Sequence, residues 1–205
     1  MKTSFKLLAT ATALFLTSTG LQAESTYGYS ATGATGNTAT ARVNVTVSVP
    51  TLVLLRVGTS GAAAQAANIT VAPTPGIPGG VAAGALVGGN SQASGWDGTA
   101  PVFGATPSAA INAFAWTNSA GGGSVTGAVT TAFPGPSGLV AANIDVTSTG
   151  TLAHPGANTG TFAPTPLTRN TLATATWTYS LSAAGLANAA AGAHSQVVTY
   201  TATAL

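Results

Sequence analysis

Acid, base and nucleophile chemistry requires titratable side chains, and this 205-residue chain has few: five Lys and Arg, three Asp and Glu, two His and no Cys. The acids are Glu24, Asp97 and Asp145; the histidines are His154 and His194. Hydrolysis by a carboxylate pair would fall to Asp97 and Asp145, because Glu24 stands at the expected start of the mature chain, where residues are usually mobile. No shared motif surrounds either acid. His154 lies before Pro155 in a Gly-rich stretch and His194 just before the last alternating run. Without Cys, and without a second His or a carboxylate at ligand spacing, they fall short of a zinc site. Both read as exposed loop histidines. Asp97 stands alone in Gly95-Trp96-Asp97-Gly98, where a calcium loop needs several spaced acids. No catalytic, cofactor-binding or metal-ligating residue is therefore assigned, and the chain is expected to be non-enzymatic.

The same Gly-Trp-Asp-Gly stretch is the most suggestive feature for ligand recognition, since an exposed indole beside a carboxylate can stack on a sugar. The commoner fate of so large an apolar side chain is burial, and a tight turn with Trp96 folded inward is the expectation. Gly33-Ala34-Thr35-Gly36 and Gly121-Gly122-Gly123 lack the Lys and following helix of a phosphate loop and read as turns. Asn44-Val45-Thr46 and Asn68-Ile69-Thr70 match the N-glycosylation pattern, but both fall in expected strands of a bacterial-type secreted protein and read as chance.

The elements that would carry any site begin after an export signal. Lys2 and Lys6 precede an apolar stretch from Leu7 to Leu16, followed by Thr17, Ser18, Gly20 and Ala23. That is the layout of a cleaved secretory signal over residues 1–23. The apolar stretch falls short of the roughly 18 residues of a membrane span, and no later one reaches it. The expected location is extracellular or the cell surface, with the periplasm as the alternative. Removing the two lysines leaves Arg42, Arg56 and Arg169 against the three acids, with no net charge. Three scattered arginines cannot displace counterions from a phosphate backbone, which argues against nucleic acid. Charged residues are 4% of the chain, against about a quarter in ordinary domains, so charge repulsion between copies is weak.

Residues 24–205 are read as a single domain, without disulfides. From Thr38 to Val49 the pattern alternates, with Ala39, Ala41, Val43, Val45, Val47 and Val49 on one side and Thr40, Arg42, Asn44, Thr46 and Ser48 on the other. A period of two with β-branched residues predicts a strand with one buried face. Pro50 interrupts it, and residues 52–57 continue to Gly58. Further strands are expected over 68–72, 110–117, 124–130, 143–147, 171–181 and 196–204, with a short helical turn within 183–193. Residues 73–104, 133–138 and 155–166 are rich in Gly and Pro and read as long surface loops. The fold class is all-β, an antiparallel sandwich of about seven to nine strands with long Gly/Pro/Ala-rich loops.

The closing segments, Ala175-Thr176-Trp177-Thr178-Tyr179-Ser180-Leu181 and Ala191-Gly192-Ala193-His194-Ser195-Gln196-Val197-Val198-Thr199-Tyr200-Thr201-Ala202-Thr203, resemble the last strands of bacterial fimbrial or pilin-like surface β-sandwich proteins. Residues 38–49 are similar in kind to the first or donor strand of such proteins. The chain departs from many of them in lacking a cysteine pair and in its Gly/Ala/Pro-rich middle. The resemblance implies an immunoglobulin-like sandwich and a structural role. Its partners would be copies of itself or another surface subunit, joined by β-strand addition. The competing expectation is a monomeric adhesion or carbohydrate-binding module using loops that bear Trp96, Phe103 and Trp116.

Overall fold

The computed structural model describes residues 24–61, 66–82, 85–104 and 108–205. The expected signal, residues 1–23, lies outside the described residues. The chain divides into two compact units at Val49/Pro50.

The unit from Pro50 onward is all-β. Its strands are β1 (Val53–Val57), β2 (Pro75–Gly76), β3 (Val102–Phe103), β4 (Ala109–Thr117), β5 (Gly123–Thr131), β6 (Ile144–Gly150), β7 (Thr165–Leu167), β8 (Ala173–Leu181) and β9 (Val197–Ala204). One antiparallel sheet has the order β1-β4-β8-β6, a second β7-β5-β9, and β2 pairs with β3 alone. The two larger sheets form where the sequence alternates. In β8 every second residue from Ala173 to Leu181 is buried, while Thr174, Thr176, Thr178 and Ser180 are half-buried. In β4, Ala113, Ala115 and Thr117 point inward and Phe114 and Trp116 take the other face. Two 3-10 turns, Gly135–Ser137 and Ala141–Asn143, lie between β5 and β6, and one α-helix among the described residues, α1 (Ala183–Asn188), follows β8, with the Ser182 hydroxyl accepting from the Gly185 amide at 3.1 Å.

Both sheets contribute to one core. Trp177 is fully buried on β8, and its indole N–H donates to the Leu152 carbonyl at 2.9 Å, so the ring is buried with its one donor satisfied. Alanines cluster beside it, with Ala113 opposite Ala175 and Ala115 opposite Ala173. These small side chains leave room for Leu152 and for Val125, Leu167 and Ala202 of the facing sheet. Gly122, in the turn from β4 to β5, has φ of 75° and lies so close to the Leu167 carbonyl that any Cβ would collide with it.

Four expectations about elements need correction. Residues 38–49 do not form a strand with a buried face: Val43, Val45, Val47 and Val49 are 72–84% exposed. Alternation supplies a strand's pattern, but a ladder also needs a partner, and residues 43–49 have none among the described residues of their unit. Residues 68–72 are not a strand either, although Ile69 packs against the core. The stretches read as loops contain β2, β3 and β7, and Pro155 and Thr159 within the 155–166 stretch are buried.

Trp177→Ala should lower the unfolding free energy by about 3–5 kcal/mol, because it opens a cavity and leaves the Leu152 carbonyl unpaired. The check is a shift of the urea midpoint at unchanged slope.

Candidate functional site

An elongated groove of about 750 Å³ opens between the sheets, where each has an edge. β1 ends one sheet and β9 ends the other, so each offers one row of unpaired backbone groups. Leu55 and Val57 of β1, Ile111 of β4, and Val198 and Tyr200 of β9 line the groove together with Ile69, Val71 and Leu139. The inward positions Leu55 and Val57 of β1 and Val198 and Tyr200 of β9 give it a largely apolar floor. Polar side chains, among them Asn68, Thr159, Ser195, Gln196 and Thr199, complete the lining.

Under the β9 lip lies a polar cluster that the sequence did not reveal. His154, read as an exposed loop histidine, is instead 8% exposed and packs edge-on against Trp177 with ring centroids 4.9 Å apart. Its Nδ1 is 2.5 Å from the Gly156 carbonyl oxygen and its Nε2 is 2.7 Å from the Tyr200 hydroxyl. A carbonyl only accepts, so Nδ1 carries the hydrogen and Nε2 accepts from Tyr200. The Gly156 amide also approaches Nδ1, at 3.2 Å, but the shorter carbonyl contact decides the tautomer. Tyr200, having given its hydrogen to His154, accepts from the Tyr179 hydroxyl at 2.9 Å. Burial holds the imidazole below its ordinary pKa, opposed by the bond to Gly156. Burial likewise pushes both phenols up; for Tyr200 the neighbouring Tyr179 adds to the effect.

The other residues singled out by type are scattered. Trp96 is not folded inward: it is 56% exposed, with its indole N–H bonded to the Thr99 carbonyl at 2.6 Å. Asp97 accepts from the Thr99 hydroxyl and amide at 2.7 and 2.9 Å, which holds its carboxyl below the usual range. Asp145 sits on β6 opposite Ser180 and pairs with Asn158 in an isolated bridge. Phe103, on β3, is exposed, whereas Trp116 lies on β4 opposite Leu54 and not on a loop. His194 lines the groove and has Nε2 3.0 Å from the Ala190 carbonyl. The guanidinium of Arg56 stacks on Phe114 at 4.0 Å. Among the described residues no three His, Asp or Glu gather as a metal site would require.

In the N-terminal unit, the Arg42 guanidinium reaches Glu24 through Nε to Oε2 (3.3 Å) and Nη2 to Oε1 (3.1 Å), and its amide donates to Oε2 at 3.0 Å. Those bonds hold the Glu24 carboxyl below the usual range. The Thr26 hydroxyl donates to the Thr40 carbonyl at 2.8 Å. Residues 24–28 thus lie along residues 38–42, and residues 43–49 continue beyond them without a partner among the described residues of that unit.

The raised phenols make the fold alkali-sensitive. A group whose folded pKa lies above its ordinary 10.0 supports the fold below that pH and stops doing so as pH rises past it. The urea midpoint should therefore fall above about pH 10, and Tyr200→Phe should flatten that fall. No protein family, curated protein or solved structure matches the chain.

Proposed function

We propose that the protein is a secreted, non-enzymatic structural subunit of fimbrial type that self-associates by β-strand addition. The observation that carries this reading is the coexistence of an exposed valine row without a sheet and a sheet edge without a strand. In the immunoglobulin arrangement, strands A, B, E and D form one sheet and C, F and G the other. The order β1-β4-β8-β6 follows A-B-E-D, and β5 and β9 take the places of C and F. The place of G, beside β9, has no counterpart among the described strands. We assign it to residues 43–49 of a second copy.

Size and chemistry support that occupant. Seven extended residues reach about 23 Å, close to the length of the eight in β9 at about 3.3 Å each. Val43, Val45, Val47 and Val49 would enter the apolar floor while Asn44, Thr46 and Ser48 face water. Residues 50–52, which lead into β1, are held by Asn118: its Nδ2 donates to the Pro50 carbonyl at 2.8 Å, and its Oδ1 accepts from Leu52 N at 2.7 Å. Head-to-tail addition does not close on itself, so it builds filaments.

A second reading, a monomeric carbohydrate or adhesion module, is favoured by the exposed Trp96 next to Asp97. It predicts glycan binding that Trp96→Ala abolishes in a protein that stays monomeric.

Val45→Asp with Val47→Asp tests the leading reading on side chains that make no core contact. Losing two valine burials, about 1.5 kcal/mol or more each, should raise the concentration needed for assembly over a hundredfold, with the melting temperature unchanged. Light scattering and negative-stain microscopy across a concentration series check this. A wild-type protein that stays monomeric throughout, or a variant that assembles equally well, overturns the reading.

A further inference from the structure

Tyr200 belongs to two structures at once: its ring lines the groove, and its hydroxyl is the middle member of the chain Tyr179–Tyr200–His154. We propose that His154 is a proton-operated latch on the groove, which holds the β9 lip in place when neutral and loosens it when protonated. The inference rests on the proposed acceptor role of the groove and adds its regulation.

In the neutral state every member of the chain is matched: Nδ1–H donates to the Gly156 carbonyl, Tyr200 donates to Nε2, and Tyr179 donates to Tyr200. A proton from solvent would bind Nε2, the one ring nitrogen that carries no hydrogen and whose lone pair accepts from Tyr200 in the neutral state. Nε2 then becomes a donor and the Tyr200 hydroxyl must turn to accept from it. Its own hydrogen points at Tyr179, whose hydrogen in turn loses its acceptor. One proton therefore reverses two bonds and leaves the Tyr179 hydrogen without an acceptor.

Nothing nearby offsets the charge. The groups facing His154 are Trp177 and Tyr179 from β8, Tyr200 from β9, Phe162 and Gly156 from the loop, and Ser148 of β6, which accepts from the His154 amide at 2.7 Å. None is charged. Asp145 pairs with Ser180, on the outward side of the β6 and β8 alternation. His194, the other histidine on the groove, bonds the Ala190 carbonyl and stands outside this chain, which makes it the control.

The direction with pH follows. A histidine whose folded pKa lies below its ordinary 6.5 supports the fold above that pH, and the support is lost as pH falls through the folded value. The lip should therefore open in mild acid. Hydrogen exchange of the β9 amides, corrected for intrinsic rates and measured on dilute protein from pH 7.5 to 5, should quicken by up to about tenfold per pH unit below 6.5 in the wild type and in His194→Gln. In His154→Gln it should stay flat. Equal acceleration with and without His154 overturns the latch.

Should His154→Gln fail to fold, ring 15N spectra of the wild type decide. Hydrogen on Nδ1 at pH 7.5, with Tyr179, Tyr200 and β9 signals moving as His154 titrates, supports the latch. Hydrogen on Nε2, or still β9 signals, overturns it. Assembly at the two pH values separates this from the reading it rests on. No assembly at pH 7.5 sinks the structural-subunit reading and leaves the latch to the exchange data. Wild-type assembly equal at pH 7.5 and 5 sinks the latch alone.

Discussion

An extended backbone needs a neighbour for its N–H and C=O groups, and that requirement organises the account. Among the described residues β9 has a partner, β5, on one side only, and β1 has only β4. Residues 43–49 have the strand pattern and no sheet among the described residues. Each half of this mismatch is costly alone, through exposed valines on one side and an open apolar groove on the other. The proposed strand addition would match the exposed β-branched row to the groove lined by Leu55, Val57, Ile111 and Val198.

The near absence of charge fits the same picture. The outward faces carry threonine rows instead of Lys and Glu: Thr174, Thr176 and Thr178 on β8, and Thr199, Thr201 and Thr203 on β9. Threonine suits a pleated surface and hydrates without repelling an identical neighbour. Thr176 bonds the Asn112 amide oxygen at 3.0 Å, and the Thr130 and Thr199 hydroxyls lie 3.0 Å apart, so these rows also tie adjacent strands together. The core meets the lack of disulfides by burying Trp177 among alanines whose small size lets the second sheet come close.

Much of the fold was legible in the sequence because alternation is a local signal. The strands ending at Thr117, Leu181 and Ala204 lie where the period of two places them, and the helical turn after Ser182 appears through Asn188. What was not legible depends on distant partners. Residues 38–49 and 68–72 have the pattern without the ladder. β7 escaped because Pro166 and the flanking glycines and prolines mask a three-residue strand that exists only by pairing with β5. The site was the least legible part. His154 lies in a Gly/Pro-rich stretch that reads as surface, yet a long-range contact to Tyr200 buries it. The only local hint was a tyrosine at an inward position of each closing strand, Tyr179 and Tyr200, two polar tips requiring a buried partner. Trp96 went the other way, exposed in a turn where burial was the expectation.

The central claim, that residues 43–49 of one copy complete the β9 edge of another, is tested most directly by solid-state NMR on assemblies grown from two differently labelled pools. One pool carries 13C-methyl valine and the other 13C-labelled tyrosine, so contacts between pools report only on neighbouring molecules. The account predicts cross-peaks between pools from Val45 and Val47 methyls to the Tyr200 ring. Assemblies in which those valines contact tyrosine only within one molecule, or not at all, would contradict it.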